Sequence, residues 1–246
     1  MISARLRWAA KKTGRAVIAH GTNALGACGR AAGLVQPGLR VLTYHAFGDR
    51  RRDAFCVSAK AFEAQMRYLA HRAMAIDLNE FERQVNGATR SDGDRVLVTI
   101  DDGLNSVRDI ALPILREYQI PAVVFASAGL VGLDGGKGAS GPAEGYMDWS
   151  DLEQLLKYGV AVQSHGWAHH ALTRLSATGL NEALVGSRTL LEQRLGRAVF
   201  AFAYPYGTRA DFNADIARAA DRAHVDDDLA REPRRRGLAA LGLRRE

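Results

Sequence analysis

Two adjacent carboxylates, Asp101 and Asp102, directly follow a β-rich run, Val-Thr-Ile at residues 98–100. A central strand of an α/β protein is apolar on both faces, and its C-terminal end opens into the functional site. Two acids at such an end lose hydration and repel each other unless a partner stabilises them. A bound cation would explain the presence of both acids, if one binds the cation and the other acts as a base. An Asp-Asp-Gly turn that merely closes the strand is the structural alternative.

A cluster of histidines follows a second short apolar run, at residues 159–162. The spacing of His165 and His169 lets two imidazoles bind one metal ion, either on a helical turn or in a tight loop after a strand. A lone histidine is usually structural, but a His pair and an Asp pair, both at strand ends, favour a functional site. His170 is an alternative ligand to His169, although its direction on a helical turn would be worse.

A third segment, residues 202–207, has the sequence Phe-Ala-Tyr-Pro-Tyr-Gly. A Pro-Tyr-Gly sequence at a strand end fixes the backbone and can present an N–H to a reacting oxygen. Aromatic-Pro-Gly segments are also ordinary turns, so this segment indicates chemistry only in combination with the other two.

In combination, these residues resemble the polysaccharide deacetylase family, the NodB-homology domains of carbohydrate esterase family 4. Residues 99–102 are similar to the family's Thr-Phe-Asp-Asp motif, residues 165–169 to its His-Ser/Thr-x-x-His motif, and residues 202–207 to its third motif. Val-Leu-Thr-Tyr-His at residues 41–45 resembles the opening strand of the branch that deacetylates poly-N-acetylglucosamine and related exopolysaccharides. The resemblance covers roughly residues 40–220 and is specific, because several motifs occur in order at compatible spacing.

The resemblance implies a fold, a metal and a reaction. The fold is α/β, a distorted (β/α) barrel with the site at the C-terminal ends of its strands. Asp102, His165 and His169 would bind a divalent metal, with zinc favoured over nickel, cobalt or iron. Asp101 would act as the base, and the backbone N–H of Tyr206 would help to hold the oxyanion. The expected activity is hydrolysis of N-acetyl groups from an amino-sugar polysaccharide or glycoconjugate, with release of acetate.

Two departures from the family pattern affect this expectation. Most members have an arginine two residues before the proline of the third motif, where it orients the catalytic Asp, and this chain has Ala203 there. Members also usually carry a late Leu-x-His that supplies the general acid, whereas His224 is the only histidine after Pro205. In the exopolysaccharide branch the acid comes from an early Tyr-His, and His45 matches that position. A packing role at a strand end is the structural alternative for His45.

Two other functions stay open at this point. An O-acetyl esterase or another amide hydrolase could use the same metal and Asp residues. A non-catalytic carbohydrate-binding remnant would fit Ala203 and the unusual C-terminal sequence, but the full set of two Asp and two His residues opposes it.

Charge is unevenly distributed along the 246 residues. Residues 1–40 hold seven basic residues and no acid, so the net charge of +6 belongs to this arm and the remaining residues carry a net charge of −1. We therefore expect no nucleic-acid interface on the barrel. The arm could make a weak contact with a membrane surface or another protein. The two cysteines do not imply a disulfide framework.

Composition separates a basic arm at residues 1–38 and a charged tail at residues 221–246 from the rest of the chain. The resemblance implies that the intervening residues 39–220 form a deacetylase domain. The tail has a composition typical of a solvated or disordered segment, so the barrel is expected to be incomplete or altered at its C-terminus. The apolar stretch from Ala16 is interrupted by His20, Thr22 and Asn23, which does not fit a signal peptide. A cytoplasmic location is favoured on this ground, and the bacterial cell envelope is the alternative.

Short apolar runs alternate with helical patterns, which predicts βα units and a mostly parallel sheet. Strands are predicted at residues 41–44, 76–78, 96–100, 122–127, 160–163 and 199–204. Helices are predicted after Ser58 and at residues 80–85, 107–118, 148–158 and 180–195. Pro113 should kink the helix at residues 107–118 or mark a late start. The Gly-rich residues 132–145 are long enough for a loop at the rim of the site.

Overall fold

The computed structural model of the chain describes residues 38–49, 53–89, 91–135, 144–208 and 210–224. From Leu39 onward these residues belong to one compact unit. The predictions for the basic arm and for most of the charged tail lie outside the described residues. Within the described ranges, no helix combines the length and the apolar character that crossing a membrane requires.

Six strands occur in the described ranges, in chain order β1 (Leu39–Tyr44), β2 (Ala46–Phe47), β3 (Cys56–Val57), β4 (Arg95–Ile100), β5 (Ala122–Ala126) and β6 (Val160–Ser164). The central sheet has the spatial order β1-β4-β5-β6, and every neighbouring pair in it is parallel. All five residues of β5 are buried, as expected for a strand that is covered on both faces. The parallel sheet confirms the α/β fold class.

The α-helices of the described residues are α1 (Ala59–His71), α2 (Leu78–Val85), α3 (Leu112–Glu117), α4 (Trp149–Lys157), α5 (Ala177–Asn181), α6 (Ser187–Leu195) and α7 (Ala214–His224). The π-helical segments Val107–Ala111 and Glu182–Gly186 directly precede α3 and α6. The same described ranges contain 3₁₀ turns at Ala128–Leu130 and Leu172–Arg174.

Helix α1 illustrates how local sequence signals produce these elements. The hydroxyl of Ser58 accepts a hydrogen bond from the N–H of Ala61 and caps the helix. Phe62, Met66 and Leu69 recur at helical spacing and are buried on one face. The cap and the apolar face are both as the sequence predicted.

Pro113 lies inside a continuous helical segment. Asn105 and Ser106 are already α-helical, the π-helical segment Val107–Ala111 follows, and α3 continues from it with Pro113 as its second residue. Proline has no N–H to donate to a carbonyl of the preceding turn, so it interrupts the α-helical hydrogen-bond ladder at this point. The late start predicted at Pro113 is therefore wrong, because the helical residues begin before residue 107.

The strand predicted at residues 199–204 is wrong as a regular strand. Only a single parallel bridge joins Phe202 to Ser164. The side chain of Gln163 replaces further backbone pairing, because its Oε1 accepts the N–H groups of Phe200 and Ala201 at 2.9 and 2.8 Å. The segment therefore runs beside β6 and brings the third motif to the same edge of the sheet.

Two further boundaries differ from those in the sequence analysis. Residues 76–78 do not form a strand, since Asp77 caps α2 and Leu78 is its first residue. The neighbouring Ala75 makes one isolated bridge with Val96. Helix α7 continues past residue 220 and ends at His224, which is 1% exposed.

The side chains of the central strands alternate between two cores. One face packs against the helices and includes Val98, Val124 and Val162. The opposite face includes Leu97, Val123 and Phe125, together with Ala201 and Ala203 of the third motif segment. The strands are thus held from both sides, and their C-terminal ends present the candidate site residues at one edge.

Candidate active site

Asp102, His165 and His169 converge at the C-terminal edge of the sheet. The Oδ1 oxygen of Asp102 lies 3.4 Å from Nε2 of His165 and 3.2 Å from Nε2 of His169. The three ligand atoms all lie within 4.8 Å of one another. Asp102 lies more than sixty positions before the two histidines in sequence. The fold nevertheless brings one carboxylate oxygen and two imidazole nitrogens close enough to bind a single ion.

The pair of acids is positioned by the end of β4. The N–H of Asp101 donates to the carbonyl oxygen of Tyr44 in β1 at 2.9 Å, which continues the pairing one residue beyond the strand. Asp102 then has a φ of 74° and Gly103 a φ of 77°. This left-handed turn is accessible to Asp and Gly at lower cost than to most residues. The turn separates the directions of the two neighbouring carboxylates.

His165 is the most firmly held residue of the group. Its backbone N–H donates to the carbonyl oxygen of Ala126 at 2.9 Å, and its side chain is 2% exposed. Its Nδ1 lies 2.8 Å from the carbonyl oxygen of Ala203. Because a carbonyl only accepts, Nδ1 carries the hydrogen in the neutral ring and Nε2 keeps a lone pair directed at Asp102.

His169 lies in a loop after β6 rather than on a helical turn, which decides between the two geometries that its spacing allowed. Its φ of 52° is left-handed, and its side chain is 27% exposed. Its ring packs edge-on against Tyr206 at a centroid distance of 4.6 Å. His170 is exposed and is not part of the converging group.

The donor set fits a divalent cation. Oδ1 of Asp102 is buried and has no hydrogen-bond partner among the described residues, an arrangement that is costly unless a cation compensates it. Zinc binds His nitrogen and carboxylate oxygen at about 2.0–2.2 Å in tetrahedral geometry, which separates neighbouring ligands by about 3.3 Å. The two distances from Asp102 match that separation.

The electrostatics differ between the two acids. Burial raises the pKa of Asp101, and the imidazoles of His165 and His45 offset the rise only in part. Burial also disfavours the charged form of Asp102, but His165 and His169 hold the pKa of that carboxyl well below its usual range. Burial would lower the pKa of His165, yet Asp102 and Asp101 raise it above its usual value. One carboxylate is thus fixed as an anion while its neighbour is made more basic.

His45 and Tyr206 lie on either side of this group. Nε2 of His45 is 3.8 Å from Oδ2 of Asp101, so the ring faces the acid pair. The His45 ring also packs against Phe55 at 5.0 Å. Tyr206 has a φ of 62°, and its side chain borders His169. The structure therefore brings the three candidate metal ligands, Asp101, His45 and Tyr206 to one edge of the sheet, whereas His170 stays outside the converging group.

Sequence reasoning missed two parts of the site. Burial and the charge of Asp102 raise the pKa of the Tyr146 phenol, which places Tyr146 near the converging Asp and His residues. Tyr146 also bridges to Leu104, two residues after Asp102. Its position at the end of the Gly-rich rim loop was the available signal. The carbonyl of Ala203 had no signal, because a backbone acceptor is independent of residue type.

Comparisons with known proteins agree with this geometry. The family model described as polysaccharide deacetylase matches residues 88–226. The poly-beta-1,6-N-acetyl-D-glucosamine N-deacetylase of Staphylococcus aureus is 26% identical over 179 residues, which cover 68% of this chain and 59% of that protein.

Two solved structures show the same fold. IcaB from Ammonifex degensii superposes with a TM-score of 0.61 at 27% identity, over 74% of this chain and 80% of that one. The Streptococcus pyogenes deacetylase PplD superposes with a TM-score of 0.66 at 20% identity, over 77% of this chain and 82% of that one. The family match covers more than half of the sequence and includes the convergent Asp and His residues, so this chain belongs to the polysaccharide deacetylase family.

Proposed function

We propose that this protein is a metal-dependent deacetylase that removes N-acetyl groups from an amino-sugar polysaccharide or glycoconjugate. The observation that carries the proposal is the convergence of Asp102, His165 and His169 within 4.8 Å, with a second carboxylate, only 14% exposed, on the neighbouring Asp101. This set is suited to hydrolysis of an amide, which needs an activated water and an electrophilic carbonyl.

Asp102, His165 and His169 would hold the metal, and zinc fits three protein ligands of this type best. Nickel, cobalt and iron accept the same ligands and are alternatives. When bound, the ion supplies Lewis-acid polarisation of the acetamide carbonyl and makes water acidic enough to react near neutral pH. The hydrogen bond from His165 Nδ1 to the Ala203 carbonyl keeps the ligand nitrogen in place.

Asp101 is the proposed general base. Its pKa is raised by burial, which increases its affinity for the proton that it accepts from the attacking water. As the water oxygen bonds to the carbonyl carbon, negative charge develops on the carbonyl oxygen. The backbone N–H of Tyr206 is proposed to donate a hydrogen bond to that oxygen.

His45 is the proposed general acid. Its Nε2 lies 3.8 Å from the Asp101 carboxylate, so acid and base would work on the same tetrahedral carbon. The protonated imidazole donates its proton to the nitrogen as the C–N bond breaks. The products are acetate and a free amino sugar.

The proposed substrate class follows from the relatives. The Staphylococcus aureus protein is named for its action on poly-β-1,6-N-acetyl-D-glucosamine, and residues 41–45 resemble that branch. We propose a polymer of N-acetylated glucosamine as the first substrate to test. The basic arm at residues 1–38 is a proposed weak contact for an anionic surface, since it holds six basic residues and no acid.

Acetate release from a matched panel tests the reaction. The panel contains β-1,6-linked and β-1,4-linked oligomers of N-acetylglucosamine, together with an O-acetylated sugar. Faster release from the N-acetylated oligomers is the expected result. Release from the O-acetylated sugar alone would identify an esterase. No release from any member by protein that holds its metal would favour the carbohydrate-binding remnant.

A further inference from the structure

The indole of Trp167 lies between two glycines. Trp167 stands between the metal-binding residues His165 and His169 in sequence. A Cβ added at Gly129 would lie 2.4 Å from its Nε1 and 2.7 Å from its Cδ1. A Cβ added at Gly186 would lie 3.8 Å from its Cε3, an ordinary contact. The indole is therefore pressed against the backbone of Gly129 and has normal clearance at Gly186.

Backbone hydrogen bonds join the same two segments. The N–H of Ala128 donates to the carbonyl oxygen of Gly166 at 2.9 Å, and the N–H of Gly129 donates to that of Trp167 at 2.8 Å. The 3₁₀ turn Ala128–Leu130 thus lies against the loop that carries the histidines. Both backbone hydrogen bonds and the packing of the Trp167 indole on Gly129 therefore hold the histidine loop against this turn.

The two histidines differ in how they are held. His165 is buried and fixed by the Ala203 carbonyl, so it does not depend on the loop for its orientation. His169 is partly exposed, has a left-handed φ of 52°, and follows Gly166, whose φ is 79°. Because two residues of this loop have left-handed backbone angles, the loop has no regular ladder of hydrogen bonds. Its conformation therefore depends on contacts with neighbouring segments.

We propose that Trp167 and Gly129 are positioning residues for the metal site: the indole, seated on the Gly129 backbone, fixes the loop and so directs His169 toward Asp102. This inference rests on the proposed metal site. Gly129 is required because any side chain there would displace the indole. The effect reaches the metal through His169 and not through contact with substrate.

A pair of alanine substitutions on opposite sides of the indole tests this. Gly129→Ala should weaken metal binding by about tenfold or more, the size of effect seen when groups that orient a ligand are removed. Gly186→Ala should bind metal as tightly as the wild type. Affinity is measured by zinc competition against a chromophoric chelator, with circular dichroism as a check on folding.

Two further measurements separate positioning from general stability. The visible spectrum of the cobalt-substituted protein should change in Gly129→Ala and stay unchanged in Gly186→Ala, because it reports ligand geometry. The single variant Trp167→Leu should weaken metal binding. Adding Gly129→Ala to it should cause little further loss of metal affinity, because both substitutions disrupt the same contact.

The experiments distinguish failure of the proposed metal-dependent function from failure of the positioning role of Trp167 and Gly129. Wild-type protein that binds no divalent metal would overturn the proposed function and this inference together. Wild-type protein that binds metal, with Gly129→Ala and Trp167→Leu binding equally well, would overturn only the role of the Trp167–Gly129 contact. Full additivity of the two substitutions would overturn it as well.

Discussion

Nδ1 of His165 lies 2.8 Å from the carbonyl oxygen of Ala203. This contact joins the second and third motifs through a backbone group at the position where most of the family carries an arginine. The side chain of Ala203 cannot orient an acid, but its carbonyl orients His165, one of the three proposed metal ligands. The departure from the family pattern therefore leaves the geometry of the Asp-His-His group intact.

The first prediction concerns the identity of the second histidine ligand. His169→Ala should lose most of the metal, because its Nε2 is one of the two nitrogens facing Asp102. His170→Ala is the matched control, since His170 is the adjacent residue but is exposed. Metal content after gel filtration decides between them. Full metal in His169→Ala with loss in His170→Ala would show that the ligand assignment is wrong.

The second prediction concerns the base. Asp101→Asn should retain the metal and lose about 10²–10⁴-fold in turnover, the usual contribution of general base catalysis. The substitution keeps the size of the side chain and removes its ability to accept the proton. Metal content and turnover should be measured on the same preparation. Metal loss as large as in Asp102→Ala would mean that both acids are ligands.

The third prediction concerns the acid. His45→Ala should keep metal and fold but slow the release of acetate from an N-acetyl substrate. An acetyl ester with a good leaving group needs less protonation, so its hydrolysis should be affected less. The measurement compares kcat/KM on both substrates for wild type and variant. Equal losses on the two substrates would contradict the role of His45 as acid.

The fourth prediction concerns stability at mildly acidic pH. Burial lowers the pKa of His224 from 6.5 to about 4, and Nε2 of its ring has no hydrogen-bond partner among the described residues. The unfolded chain would take up this proton between pH 6.5 and about 4 while the folded chain stays neutral. The free energy of unfolding should thus be fully present above that window and fall within it, by at most about 1.4 kcal/mol per pH unit.

Urea unfolding at several pH values checks the His224 prediction. Other groups titrate in the same range, so the difference between wild type and His224→Gln isolates the contribution of this ring. The wild type should show the steeper decline on acidification. Parallel pH dependences in the two proteins would argue against a buried, neutral His224.

Sequence reasoning reached the site because its signals were local. The Asp pair at the end of β4 and the helix capped by Ser58 each follow from neighbouring residues. The regular strand expected at residues 199–204 failed because a side chain, Gln163, takes over its hydrogen bonding. Residue patterns do not reveal that a side chain distant in sequence will replace the backbone hydrogen bonds of a strand.

Two site features illustrate the same limit. The role of the Ala203 carbonyl could not be predicted, since every residue type has a carbonyl. The packing of Trp167 on Gly129 joins the loop after β6 to the turn after β5. Neither segment has a periodic pattern of apolar residues that could have predicted the contact. In contrast, the Tyr146 phenol lies at the end of a Gly-rich loop that the sequence already identified as the rim of the site.

The most direct test of the account is removal and return of the metal. Wild-type protein is stripped with a chelator, and acetate release from N-acetylglucosamine oligomers is followed as zinc is added in steps. Activity should disappear on stripping and return fully at one equivalent, while Asp102→Ala stays inactive throughout. Undiminished acetate release by the stripped protein would contradict a metal-dependent deacetylase centred on Asp102, His165 and His169.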